Sequence, residues 1–279
     1  MSREKRKVEW SFDFESMGDR VSQFFSDMIG DDVEVETANL ITPANGVESA
    51  SVDIDFSVGR ASLNALAPGS DNLFEAEINY VGEYEFEVTG GAKRSIKLRQ
   101  KGQFPKGIGR IIGNNKDLHW DISLAPDIPY QLSMKGGVSE TDIDLSPLLV
   151  DDIRLETGIG KIALTLPTQD APIAAKVSGG VGKTDITIPD GACGKLDIDG
   201  GVGEVIVTLS PEAAVQLNAT AGLGKVDLPE SFEQVKDTGH VIGVDGIWES
   251  ANFKGADEKI IIDFDGGIGS FQLQFFDLL

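Results

Sequence analysis

Two histidines, one cysteine and four closely spaced aspartate pairs are the side chains of this sequence with chemistry to offer. His119 and His240 stand far apart. Neither has a second ligand at i+4 or a neighbouring Cys, so the spacing gives no zinc site and each reads as a surface or edge residue. Cys193 follows Gly191-Ala192 with no His or orienting group in motif spacing, which leaves its thiol without a base. Asp53/Asp55, Asp142/Asp144, Asp197/Asp199 and Asp263/Asp265 each put two carboxylates on one face of an extended strand. A calcium-binding β-roll uses such acids in nonapeptide repeats of G-G-x-G-x-D. Here Asp185 falls one place too late after Gly179-Gly180-Val181-Gly182, and the period is wrong. Glycoside hydrolysis needs two carboxyls about 5–10 Å apart across a cleft. It also wants sugar-stacking aromatics, and the outward positions hold almost none. The pairs therefore read as a solvated acidic face that also discourages edge-to-edge pairing. No catalytic residue, metal ligand or cofactor site is expected.

The elements that carry these residues are set by a Gly-rich phrase. It reads Lys135-Gly-Gly-Val-Ser, Thr157-Gly-Ile-Gly-Lys, Gly179-Gly-Val-Gly-Lys, Gly200-Gly-Val-Gly-Glu, Ala221-Gly-Leu-Gly-Lys and Gly266-Gly-Ile-Gly-Ser. The anchoring glycines are Gly137, Gly158, Gly180, Gly201, Gly222 and Gly267, separated by 21, 22, 21, 21 and 45 residues. The last gap reads as two periods, one of them lacking the phrase. The phrase does not read as a phosphate cradle, because it recurs between strands and such a cradle feeds a helix N-terminus.

Aligned on the anchor, the positions five before, three before and six after are apolar in every turn: Leu132, Met134 and Ile143 in the first, for example. Polar residues alternate with them. This is the period-2 pattern of half-buried strands, two short ones per turn about a Gly corner. Fold class follows: all-β, a single-stranded β-solenoid or β-helix-like stack of ~21-residue turns. The anchoring glycines are expected to supply positive φ at the corner. Pro167, Pro189 and Pro229 mark a second corner. Three positions after the anchor, Glu140, Lys161, Lys183, Glu204 and Lys225 are expected to stack as neighbours of largely alternating sign.

Outside the array the chain is less regular. A segment 1–47 contains a short amphipathic helix, with Met17, Val21, Phe24, Phe25, Met28 and Ile29 at helical spacing. It is expected to cap the solenoid or dock on a partner. Segment 48–130 carries an early turn at Val52–Leu63, a Gly90-Gly91 hairpin and a loop at 100–117. Segment 131–279 holds the regular repeats, with an irregular excursion at 230–258.

The net charge of −22 disfavours nucleic acid and anionic lipid as partners of the bulk surface. No run reaches the ~18 apolar residues of a membrane span, and no apolar signal core follows the basic start. The chain reads as cytoplasmic, with an extracytoplasmic site less favoured. Oligomeric state is not legible.

Some of these residues resemble a known family. Asp117-Leu-His-Trp-Asp-Ile-Ser-Leu-Ala-Pro-Asp-Ile-Pro-Tyr, with Leu132-Ser-Met-Lys-Gly-Gly-Val-Ser-Glu-Thr-Asp-Ile-Asp-Leu-Ser after it, is similar to the toastrack N-terminal module. Leu155-Glu-Thr-Gly-Ile-Gly-Lys, Gly246-Ile-Trp-Glu-Ser-Ala-Asn-Phe and Gly266-Gly-Ile-Gly-Ser resemble the rest of it. The resemblance spans about residues 48–275. That family includes adhesin-like domains and the C-terminal domain of LiaF-like cell-wall-active antibiotic response proteins. It implies a bacterial β-solenoid scaffold tied to envelope stress, usually attached to membrane helices or PspC-like segments, and no catalytic residues. The expected function is a non-enzymatic interaction scaffold with a protein partner, such as a membrane-associated envelope-stress component. The alternatives are a carbohydrate-binding or polysaccharide-acting β-helix and a surface adhesin.

Overall fold

The computed structural model describes residues 35–101, 118–237 and 243–276. The expected amphipathic helix with Met17, Val21, Phe24, Phe25 and Met28 lies outside the described residues, as does His240. In chain order the first strands are β1 (Glu36–Pro43), β2 (Ser49–Ala65), β3 (Asn72–Tyr80), β4 (Glu83–Gly90), β5 (Lys93–Lys101), β6 (His119–Leu124) and β7 (Pro129–Asp144). Then come β8 (Leu149–Thr165), β9 (Ile173–Ile188), β10 (Gly194–Leu209), β11 (Val215–Asp227), β12 (Phe232–Asp237), β13 (Val244–Ser250) and β14 (Ile260–Phe275). A 3-10 turn at Phe253–Gly255 precedes β14, and among the described residues there is no α-helix. The fold is an all-β solenoid of stacked strands.

Each turn of the stack is one long strand bent at its middle rather than two short strands. β8 runs unbroken for 17 residues through the Gly phrase. Its hydrogen bonds go to neighbouring turns, so bending the strand does not interrupt the ladder. At the bend only the anchoring residue, Gly158 opposite Gly137, drops out of the register; the other break is a bulge at Asp151 near the start of the strand. The bend changes which parity faces inward: Ile153 and Leu155 are buried before it, Ile162 and Leu164 after it. The two arms of every strand thereby close on a shared core. Its columns include Leu132, Ile153, Ala175 and Leu196 on one arm and Ile143, Leu164, Ile186 and Val207 on the other.

The anchoring glycines do not have the role expected of them. Among the six only Gly201 has a positive φ, of 53°. Positive φ falls two residues later, as at Gly182 with φ 150°. Gly180 is constrained by approach instead: a Cβ there would strike the carbonyl oxygen of Gly158 on the adjacent strand. At Gly182 both constraints coincide, because a Cβ would also sit on the carbonyl of Gly160.

Strand order corrects a second expectation. The parallel stack reads β2-β7-β8-β9-β10-β14-β11, so the C-terminal strand lies between β10 and β11. The 45-residue gap therefore hides no missing turn. The chain leaves β10, places β11 one space away, adds β13 and β12 antiparallel beyond it, and returns to fill the space with β14. Phe264 fits that space: its register partners are Ile198 on β10 and the small Ala219 on β11, and its ring lies against Gly200. Glu204 consequently pairs with Ser270 rather than with Lys225, whereas Glu140 faces Lys161 and Lys183 faces Glu204 as the repeat implies.

The inserted strand is clasped from outside. Lys195 Nζ lies 2.8 Å from Asp197 on its own strand and 2.8 Å from Asp263 on β14. Asn218 Nδ2 of β11 donates to Asp263 at 2.5 Å. Burial pushes the Asp263 carboxyl up, but the hydrogen bonds from Lys195 and Asn218 and the Lys195 charge together hold it below 3.8. At the other end, β5 and β4 cover the first arm of β2, while β6, β3 and β1 cover the second. β5 and β6 extend the ladder parallel to β2, and β4, β3 and β1 then pair antiparallel beyond them, covering the open parallel edge.

Gly182→Ala should destabilise the protein by more than about 2 kcal/mol. Gly91→Ala, where a Cβ meets no atom within 4 Å, should cost less than about 1 kcal/mol. Urea midpoints of the two variants check this; equal midpoints would refute the stacking argument. A carboxyl lowered on folding contributes stability that is present above its unfolded value of 3.8 and is lost as pH falls through the folded value. Lys195→Met should therefore lower Tm at neutral pH, with the difference from wild type shrinking as pH falls below 3.8. A difference unchanged by acid would contradict this.

Candidate functional site

Bending every strand at the same phrase creates an outer surface with two distinct features. The first is a recess of about 410 Å³ on the outer face of β6 and of the second arms of β2, β7 and β8. Arg60, Ser62, His119, Asp121, Glu140 and Asp142 line it. The register that brings them together is direct: Ser62 lies between Asp121 on one neighbour and Asp142 on the other. Ser62 Oγ donates to Asp121 Oδ1 at 2.6 Å, and His119 Nε2 lies 3.4 Å from Asp121 Oδ2. His119 Nδ1 is 3.3 Å from Asn79 Nδ2. The residue types are those of a nucleophilic triad in the wrong order. The hydroxyl is bonded to the carboxylate, so the imidazole is not placed to take its proton.

The other candidate residues have structural partners. Asp53 pairs with Arg99, Asp144 Oδ1 accepts from the Ser146 amide at 3.0 Å, and Asp199 Oδ1 accepts from the Gly201 amide at 3.3 Å. With Lys195 on Asp197 and Asp263, every aspartate pair has at least one member in an ion pair or a turn cap. Cys193 is buried, and burial pushes its thiol up, with Glu258 and Asp170 adding to the shift. Its thiolate is correspondingly disfavoured. Among the described residues no three His, Cys, Asp or Glu side chains gather as a metal-ligand set.

The second feature is apolar. The residue just after each anchoring position starts the outward row of the second arm. β2 supplies Val58 there, β7 Val138, β8 Ile159 and β9 Val181. β10 adds Val202, β14 Ile268 and β11 Leu223. These side chains are strand-to-strand neighbours and form one continuous ridge along the bend. Ile159, Ile268 and Leu223 are 36%, 47% and 60% exposed. Val58, Val138, Val181 and Val202 are half-buried between them. Isolated exposed apolar side chains need no explanation, but an apolar position repeated on seven adjacent strands, and open on three, marks an interaction surface.

Residues 29–187 match the sequence profile of the N-terminal domain of toast_rack, DUF2154. The chain belongs to this family. No curated protein matches it. Among solved structures, a candidate cell adhesion protein from Clostridium sporogenes ATCC 15579 shares the fold, with a TM-score of 0.56 and 19% identity over 87% of this chain and 100% of that one. A candidate adhesin from Bacteroides fragilis NCTC 9343 aligns over 86% of this chain and 97% of that one, with a TM-score of 0.31 and 12% identity. Among the described residues no helix is long and apolar enough to cross a membrane.

In this toast-rack chain the sequence reading captured the glycines and passed over the residue between them. The signal was present. Val138, Ile159 and Val181 share parity with the outward Glu140, Lys161 and Lys183, so an apolar residue recurs where alternation calls for a polar one. The recess was not legible, because it joins β6 to β2 and β7 across a long excursion of the chain. Ile268→Ser and Leu223→Ser should each change folding stability by no more than about 0.5 kcal/mol, as measured by chemical denaturation. A larger loss would mean that the ridge serves the fold rather than a partner.

Proposed function

We infer that this chain is a non-enzymatic interaction scaffold that engages protein along the apolar ridge at its bend. The ridge is the observation that carries the reading. It is the one feature repeated in every turn of the parallel stack that folding does not require, and it costs exposed apolar area. The setting we favour is bacterial envelope stress, which the family resemblance supports. A second setting, adhesion, is favoured by the description of the Clostridium protein that shares the fold. A carbohydrate-acting role has less support, since no Phe, Tyr or Trp lines the polar recess among the described residues.

The test is photo-crosslinking and pull-down from the native host, with and without cell-wall stress. Wild type should recover a protein that Ile159→Ser and Ile268→Ser lose, while Ser62→Ala in the recess keeps it. Recovery unaffected by the ridge substitutions would sink the assignment. Fractionation of the same cells separates the two settings: exposure at the cell surface favours adhesion.

A further inference from the structure

The ridge has two flanks, and they are electrically unlike. On the side of the second arm the outward row is Arg60, Glu140, Lys161, Lys183, Glu204 and Lys225, with Ser270 in the β14 position. Cations outnumber anions there, which is unusual in a chain of net charge −22. On the side of the first arm the row holds Asp55, Lys135, Glu156, Asp199 and Asp265, with Ser178 and Thr220 between or beside them. That flank is net negative. A surface with opposite charge on the two sides of an apolar line is complementary to its own copy in one orientation.

Symmetry identifies that orientation. A two-fold axis running along the ridge lays each strand's bend on the same strand of the other copy and brings opposite flanks together. Arg60 then faces Asp55, Glu140 faces Lys135 and Lys161 faces Glu156. The middle pair is the informative one, because both signs invert together on β7. Glu204 against Asp199 is the single like-charged match. An axis perpendicular to the ridge would instead place like flanks together, setting Arg60 against Lys225 and Lys183 against itself. Some neighbours within a row pair opposite signs, as in the 2.9 Å Lys135–Glu156 pair, while Lys161 adjoins Lys183 and Asp199 adjoins Asp265. Pairing within a row does not explain why the two flanks carry opposite signs on each of β2, β7 and β8.

We propose that the ridge is the face of a parallel homodimer, a second copy of this chain being the partner that fits it. The proposal rests on reading the ridge as an interaction surface and specifies its occupant. Strands in the stack lie about 4.8 Å apart, so the ridge extends for about 29 Å, and its two flanks are about 17 Å apart along the strands. Because the ridge lies on the outside of a bend, two such faces bury at most about 500 Å² each, about 1,000 Å² together, no more than the lower limit for a specific contact. A weak, concentration-dependent dimer follows, with charge matching setting its orientation more than its strength.

The experiment uses single cysteines on the ridge of the full chain in a Cys193→Ala background, with sedimentation of the wild type alongside. In a parallel dimer Ile159→Cys meets its own copy and oxidises to a covalent dimer. In an antiparallel one it does not, and a mixture of Val138→Cys with Ile268→Cys crosslinks instead. The expected result is wild-type dimer at about 100 μM, self-crosslinking of Ile159→Cys, and monomer for Ile159→Ser with unchanged circular dichroism. A wild type monomeric at every concentration, or crosslinking confined to the Val138→Cys and Ile268→Cys mixture, overturns the proposal. If the chain is monomeric but Ile268→Ser still loses a protein from the native host, the dimer alone has failed and the ridge remains an interaction surface.

Discussion

The structure depends on how closely two backbones can approach at the bend. The carbonyl oxygen of Gly158 occupies the space where a side chain on Gly180 would start, and Gly160 stands in the same relation to Gly182. This approach lets a strand of 16 or 17 residues fold back on itself without losing its ladder. Two arms then close over one core from opposite sides. Without the bend each strand would need a partner sheet to bury its inward face. With it, every turn is a self-closed layer that needs only neighbours above and below.

The bend also explains where function can reside. Glycines at the phrase leave nothing on the corner to cover the residue between them. Val138, Ile159, Val181 and their neighbours therefore project as a ridge. Farther along the second arm, polar side chains form ion pairs across the strands, such as Lys183 with Glu204 at 3.6 Å and Lys161 with Asp185 at 3.7 Å. Those pairs are half-exposed and contribute little stability each. They keep the flat outer sheet from being an indiscriminate adhesive, while the ridge stays apolar.

The return of β14 between β10 and β11 gives the stack a property that simple solenoids lack. A sequential array can grow or fray one turn at a time. Here the last strand pairs on both sides with strands laid down much earlier, so the final turns close together or not at all. Phe264 packs against Phe271 of the other arm, with ring centroids 4.7 Å apart, and fills the layer that the insertion creates. Loop closure over β12 and β13 must precede these contacts, which makes this end of the molecule the non-local one.

Period and parity alone determined the parallel stack, the inward columns from Leu132 to Val207 and the absence of a nucleophile–base spacing. Each of these rests on residues a few positions apart in one strand, and local geometry dictates which way they face. Tertiary structure decided the rest. Whether Gly180 needs positive φ or merely room depends on the carbonyl of a different turn. Whether Glu204 meets Lys225 depends on β14 entering between their strands, which no local pattern records. The encounter of Ser62, Asp121 and His119, and the continuity of the ridge across β10, β14 and β11, exist only once register between distant strands is set. Hydrogen bonding between turns fixes that register, and its partners are chosen by packing rather than by nearness in the chain.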